Sequence, residues 1–126
     1  MASAHSAFSW IVPKTASGVI HKGHAVEYSS AGVVVESNAA GAYGIYVGDD
    51  DCADGDTVPI CIGGPCKAWA DGSTAIVEGY TLGVDSSGHL VKDVTATHPT
   101  IAFALENLAS GTAMIEVCVM PGNPSV

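Results

Sequence analysis

Gly23-His-Ala-Val-Glu-Tyr-Ser-Ser-Ala-Gly32-Val-Val-Val35 returns, displaced by 56 positions, as Gly79-Tyr-Thr-Leu-Gly-Val-Asp-Ser-Ser-Gly88-His-Leu-Val91. Gly23/Gly79, Ser30/Ser86, Gly32/Gly88 and Val35/Val91 are identical across the two copies. The first copy alternates polar and apolar residues over 23–28, places turn formers at 29–32, and resumes a β-branched run at 33–35. That pattern is a β-hairpin, and the paired glycines fit backbone positions that need positive φ.

The same register extends in both directions. Ser17/Ser73 and Ile20/Ile76 match upstream, and Ala53/Ala109 and Gly55/Gly111 match downstream. A self-similarity of this length divides the chain into two related halves, residues 16–71 and 72–126, preceded by an unmatched N-terminal arm at residues 1–15. Strand-like segments at 43–47 and 57–62 are answered by 100–105 and 113–119. Glycine-bearing turns lie between them. No segment carries a sustained 3.6-residue apolar period, although 102–108 permits one helical turn. The fold class expected is all-β: a compact antiparallel β-barrel or sandwich of eight to ten short strands, built from two pseudo-repeated halves with an extended N-terminal arm.

Composition narrows the function. Of 126 residues only 13% are charged, against roughly 25% in an ordinary soluble domain. The formal net charge is -9, and all four basic residues are lysines. Such a chain lacks the cationic face that phosphate backbones require, which argues against nucleic acid as a partner. The uncharged apolar stretches at 101–105 and 117–120 fall far short of the ~20 residues of a membrane-spanning helix, so no membrane role is expected. Residues 1–14 lack a basic leader and their apolar run stops at Pro13, which does not read as a secretory signal. Cys52, Cys61, Cys66 and Cys118 are therefore expected as reduced thiols; the single close pair, Cys61-x4-Cys66, lacks the paired short spacings of a zinc site.

No catalytic constellation appears. There is no G-x-S-x-G elbow, no phosphate-binding glycine loop and no Cys-His frame. The acidic run Asp49-Asp50-Asp51-Cys-Ala-Asp54-Gly-Asp56 fails as a calcium loop, because an EF-hand frame starting at Asp50 ends on Cys61 where a bidentate glutamate belongs. His5, His21, His24, His89 and His98 are read as structural or surface residues: in a strand His21 and His24 point to opposite faces, and their repeat counterparts are Val77 and Tyr80. No enzyme activity, metal or cofactor is expected. The candidate partner-binding residues are Phe8, Trp10, Ile11, Val12 and Pro13 of the arm, whose bulk either packs on its own barrel as a first edge strand or docks on a neighbour.

The order Gly23-His-Ala-Val and Gly32-Val-Val-Val, Tyr43-Gly-Ile-Tyr-Val47, Ala53-Asp-Gly-Asp-Thr-Val-Pro-Ile60, Gly79-Tyr-Thr-Leu82, Ser87-Gly-His-Leu-Val91 and Ile101-Ala-Phe-Ala-Leu-Glu106 resembles the capsid decoration, or head cement, proteins of tailed bacteriophages. The resemblance implies a structural virion protein, made in the host cytoplasm, that binds the outer surface of an assembled capsid. It implies the major capsid protein as partner, self-association as a homotrimer at local three-fold positions, and stabilisation of the shell. The alternative is a carbohydrate-binding or other ligand-binding β-module of a phage or bacterial surface, stacking its ligand on Trp69 and Tyr80.

Overall fold

The computed structural model describes residues 8–38, 42–92 and 100–120. These residues form nine strands: β1 (Trp10–Ala16), β2 (Ala25–Ser30), β3 (Val33–Glu36), β4 (Gly44–Tyr46), β5 (Thr57–Asp71), β6 (Thr81–Val84), β7 (Leu90–Lys92), β8 (Ala102–Ala104) and β9 (Thr112–Val119). Residues 102–104, open to a helical turn in the sequence, are strand β8 because their amides and carbonyls complete ladders on both sides, to β6 and to β9. No helix among the described residues is long and apolar enough to cross a membrane.

The strands run in the order β1-β3-β2-β4-β5-β7-β6-β8-β9, with β1 and β9 each also paired to β5. Those two extra pairings close the sheet twice. One five-stranded barrel is β1-β3-β2-β4-β5 and the other is β5-β7-β6-β8-β9, so the 15-residue β5 belongs to both. Its first part lies between β4 and β1, with Cys61 opposite Ile45 and Ile11. Its second part lies between β7 and β9, with Ala70 opposite Leu90 and Ala113. Among the described residues, closure leaves no long strand edge exposed.

The all-β barrel expected from the repeat is thus present, with two refinements. The pairing is not wholly antiparallel, because β1 runs parallel to β3 (Ala16 opposite Val34) and β5 parallel to β7 (Ala70 opposite Leu90). The repeat also begins earlier than identity shows. Ala16 and Ala70 hold equivalent places, each paired to the third strand of its barrel. β1 is therefore the counterpart of the second part of β5, and the halves meet near Gly63-Gly64 rather than at residues 71/72. From Trp10 onward the segment set apart as an arm is a barrel strand.

Alternation along the strands fills two cores. Val26, Val34, Tyr46, Val58 and Ile60 face the interior of the first barrel together with Ala16 and Ile20. Their neighbours Ala25, Ile45 and Cys61 point the other way and join the larger cluster of Ile76, Leu82, Leu90, Ile115 and Val117. One apolar mass thus covers the second interior and the contact between barrels. Each fully buried Ile or Leu contributes about 1.5–3 kcal/mol relative to exposure. The bridges Ile20–Cys52 and Ile76–Leu108 plug the two barrels at equivalent positions, 56 residues apart.

Main-chain bonds lock the barrels together: Trp69 N–H donates to Gly23 O at 2.8 Å and Ala25 N–H to Gly88 O at 2.9 Å. Gly23 and its counterpart Gly79 both have positive φ, 80° and 94°. Only Gly23 is pressed by the other barrel, since a Cβ there would lie 2.4 Å from Met114 Sδ and 3.0 Å from Trp69 N, whereas nothing lies within 4 Å at Gly79. Gly79→Ala is therefore expected to cost about 1–2 kcal/mol from backbone conformation. Gly23→Ala should cost clearly more in urea unfolding, and equal losses would contradict the tight approach.

Candidate functional site

A concave site is built on the turn between β1 and β2. His24 N–H donates to His21 O at 3.1 Å, so residues 21–24 form a turn and not the strand assumed in reading the sequence. Two histidines three apart then converge instead of facing opposite ways. Glu36, at the end of β3 and opposite Val26, meets them. Its Oε1 accepts the His21 backbone N–H at 2.8 Å and lies 2.9 Å from His21 Nδ1. His24 Nδ1 is 3.2 Å from the same oxygen but not aligned with it, and has no hydrogen-bond partner although buried.

Across the barrel junction the His24 ring lies 4.8 Å from that of His89. Asp85 holds His89, with Oδ2 3.3 Å from its Nδ1 and Oδ1 accepting its backbone N–H at 3.0 Å. Trp69 stands 6.5 Å from His89. His21, Lys22, His24, Asp51 and Trp69 line a cavity of about 280 Å³. The Glu36 hydrogen bond and charge raise the pKa of His21. Burial lowers that of His24, opposed by the charge of Glu36 and reinforced by the neighbouring His89 and His21.

Three aspartates of the exposed acidic run bond backbone amides. Asp51 accepts the Lys22 N–H at 2.7 Å, Asp54 the Gly18 N–H at 2.8 Å and Asp56 the Ala53 N–H at 2.8 Å. These carboxylates cap the turns that carry the bridge at Ile20, which explains why the run occurs at this loop. Cys52, Cys61, Cys66 and Cys118 are free thiols. His5 and His98 lie outside the described residues.

The five arm residues separate by face. Ile11 and Val12 pack against the two cores, while Pro13 is exposed and sits opposite Pro59. Phe8 and Trp10 are 88% and 58% exposed. They sit at the waist where β5 passes between barrels: Ser9 Oγ donates to Pro65 O, and a Cβ on Gly64 would meet Phe8 O at 2.8 Å. Further along β1, Lys14 Nζ lies 5.5 and 5.8 Å from the rings of Tyr28 and Tyr43. The two aromatics considered as stacking platforms differ: Trp69 lines the cavity, whereas Lys92 Nζ already covers Tyr80 at 4.7 Å.

No protein-family model matches the chain, and no curated protein matches it. Among solved structures it is similar to one described as the crystal structure of head fiber gp8.5 N base in bacteriophage phi29, with a TM-score of 0.64 and 14% identity over 94% of this chain and 98% of that one. The likeness shows a shared fold.

The opposite shifts of the two histidines are open to a direct check. In a histidine-ring NMR titration with chelator present, His21 is expected to titrate above the ordinary value near 6.5 and His24 below it. The reverse order would contradict the burial of His24 and the pairing of His21 with Glu36.

Proposed function

We propose that this chain is a structural component of a phage virion that attaches to the outer surface of the assembled capsid. The observation that carries the reading is the fold, whose likeness to a phage head-fibre base extends over 94% of the chain. Two features support it. Phe8 and Trp10 are held outward on a barrel whose own cores are complete without them, and clustered exposed aromatics of this kind are suited to burial against a partner. The net charge of -9 suits a position outside the shell, away from packaged nucleic acid.

In this reading the protein is not an enzyme. Copies associate as a homotrimer, seated at local three-fold positions on the major capsid protein, and their joint attachment strengthens the shell. Three linked copies multiply modest single contacts into tight binding. The Phe8/Trp10 ledge supplies the apolar anchor, either to a neighbouring copy or to the lattice.

Deleting residues 1–13 is a poor test, because it removes most of the strand that closes the first barrel. Phe8→Ala and Trp10→Ala alter exposed side chains and leave β1 in place. Light scattering is expected to give three times the 12.7 kDa chain mass for the natural chain. The double variant should keep its circular dichroism while losing trimerisation, co-sedimentation with capsids, or both. A monomeric natural chain would contradict the trimer, and full capsid binding by the double variant would remove the ledge from the interface.

A further inference from the structure

We propose that the turn at residues 21–24 and the end of β3 form a divalent transition-metal site, with His21 Nδ1, His24 Nδ1 and Glu36 Oε1 as its protein ligands. The three atoms lie within 4.8 Å of one another, Oε1 being 2.9 Å from His21 Nδ1 and 3.2 Å from His24 Nδ1. A tetrahedral zinc ion with nitrogen and oxygen ligands about 2.0–2.1 Å away holds those ligands roughly 3.3 Å apart, so small side-chain movements seat it. Two imidazoles and a carboxylate are a donor set of open zinc centres. Imidazole favours zinc, nickel, cobalt or copper over magnesium or calcium. Two of the three ligands, His21 and His24, also line the cavity with Lys22, Asp51 and Trp69.

Three independent observations point to an ion. His24 is only 9% exposed, and its Nδ1 is buried without a hydrogen-bond partner; a metal gives that nitrogen the partner it lacks. Glu36 Oε1 is already oriented by the His21 backbone N–H at 2.8 Å, the kind of supporting bond that fixes a ligating carboxylate.

The third observation is the repeat. Positions 21, 24 and 36 correspond to Val77, Tyr80 and Lys92, 56 residues on. The turn is retained there, with Tyr80 N–H donating to Val77 O at 2.9 Å, but Lys92 Nζ sits 4.7 Å over the Tyr80 ring. The fold therefore needs neither imidazole nor carboxylate at these places, and the first copy alone carries a ligand set. A second cluster, Asp71, Asp85 and His89, is also compact. Its histidine differs from His24, since His89 Nδ1 is partnered by Asp85 Oδ2 at 3.3 Å and is not a buried nitrogen left without a hydrogen bond.

An ion at the first cluster takes the place of the proton that His21 Nδ1 shares with Glu36. It ties the β1–β2 turn to β3 beside the seam where Ala25 bonds Gly88, so it should stiffen the barrel junction.

The test uses the full chain, stripped with chelator and titrated with Co²⁺ by visible absorbance and with Zn²⁺ by calorimetry. One equivalent is expected to bind, with tetrahedral cobalt bands and a Zn²⁺-dependent rise in melting temperature. Glu36→Gln, close in shape, and His21→Ala, at a half-exposed side chain, should each keep the circular dichroism and weaken binding at least about tenfold. Asp85→Asn and His98→Gln should bind as the natural chain does. Absence of binding, undiminished binding by both Glu36→Gln and His21→Ala, or loss confined to Asp85→Asn or His98→Gln would each overturn the proposal.

Discussion

Everything else in the molecule depends on β5, which is paired along nearly its whole length on one side, by β1 and then β9, and on the other at Ile60–Cys61 by β4 and at Ala70 by β7. A short β-strand with an open edge is a poor structural unit, and a five-stranded sheet of strands three to eight residues long is marginal unless it closes. Here a single 15-residue strand closes two such sheets. Its first part receives β4 and β1, its second part β7 and β9. The two barrels share this one continuous strand, so the two halves of a duplicated sequence are joined through it. Small side chains suit this arrangement. Ala25 and Cys61 turn away from the first interior into the larger cluster, and backbone from one barrel bonds directly to backbone of the other at Gly23 and Gly88.

The scarcity of charge follows from the same geometry. A strand enclosed by two barrels exposes little of either face, and β2, β4 and β5 bury residues on both sides because one side fills a barrel and the other meets its neighbour. Val26 and Ala25, or Ile60 and Cys61, are adjacent in sequence and belong to different cores. Polar residues are left for turns, and the acidic ones there mostly bond amides. Among the exposed apolar groups outside these two cores, Phe8 and Trp10 are the ones the proposed association uses.

The hairpins were legible because Gly-to-Val segments of each half keep a displacement of 56, with Ser30/Ser86 and Gly32/Gly88 identical in the turns. The first strand was not. Ala16 corresponds structurally to Ala70, a displacement of 54, and the remaining pairs, such as Val12 with Cys66 and Lys14 with Ala68, share no identity. Slipping two residues hid the counterpart of β1 and made a barrel strand read as an unmatched arm. The parallel pairings were hidden for a related reason: hairpin signals report only neighbours in sequence, and β1 meets β3 across an intervening strand. The histidine cluster was missed through a wrong local geometry. Period-two reasoning separates His21 from His24, whereas the turn that precedes β2 gathers them, and nothing near them in sequence announces Glu36. The comparison that does expose the site is between copies, where His, His and Glu stand against Val, Tyr and Lys on the same backbone turn.

The proposed role needs a rigid body that offers an apolar ledge and an acidic exterior to a large symmetric partner. Electron cryo-microscopy of capsids from the parent phage, with and without added protein, tests this most directly. The expected result is additional density on the outer surface at three-fold positions, fitted by the double barrel with Phe8 and Trp10 inside a contact. Density absent from the shell, or confined to its inner surface, would contradict it.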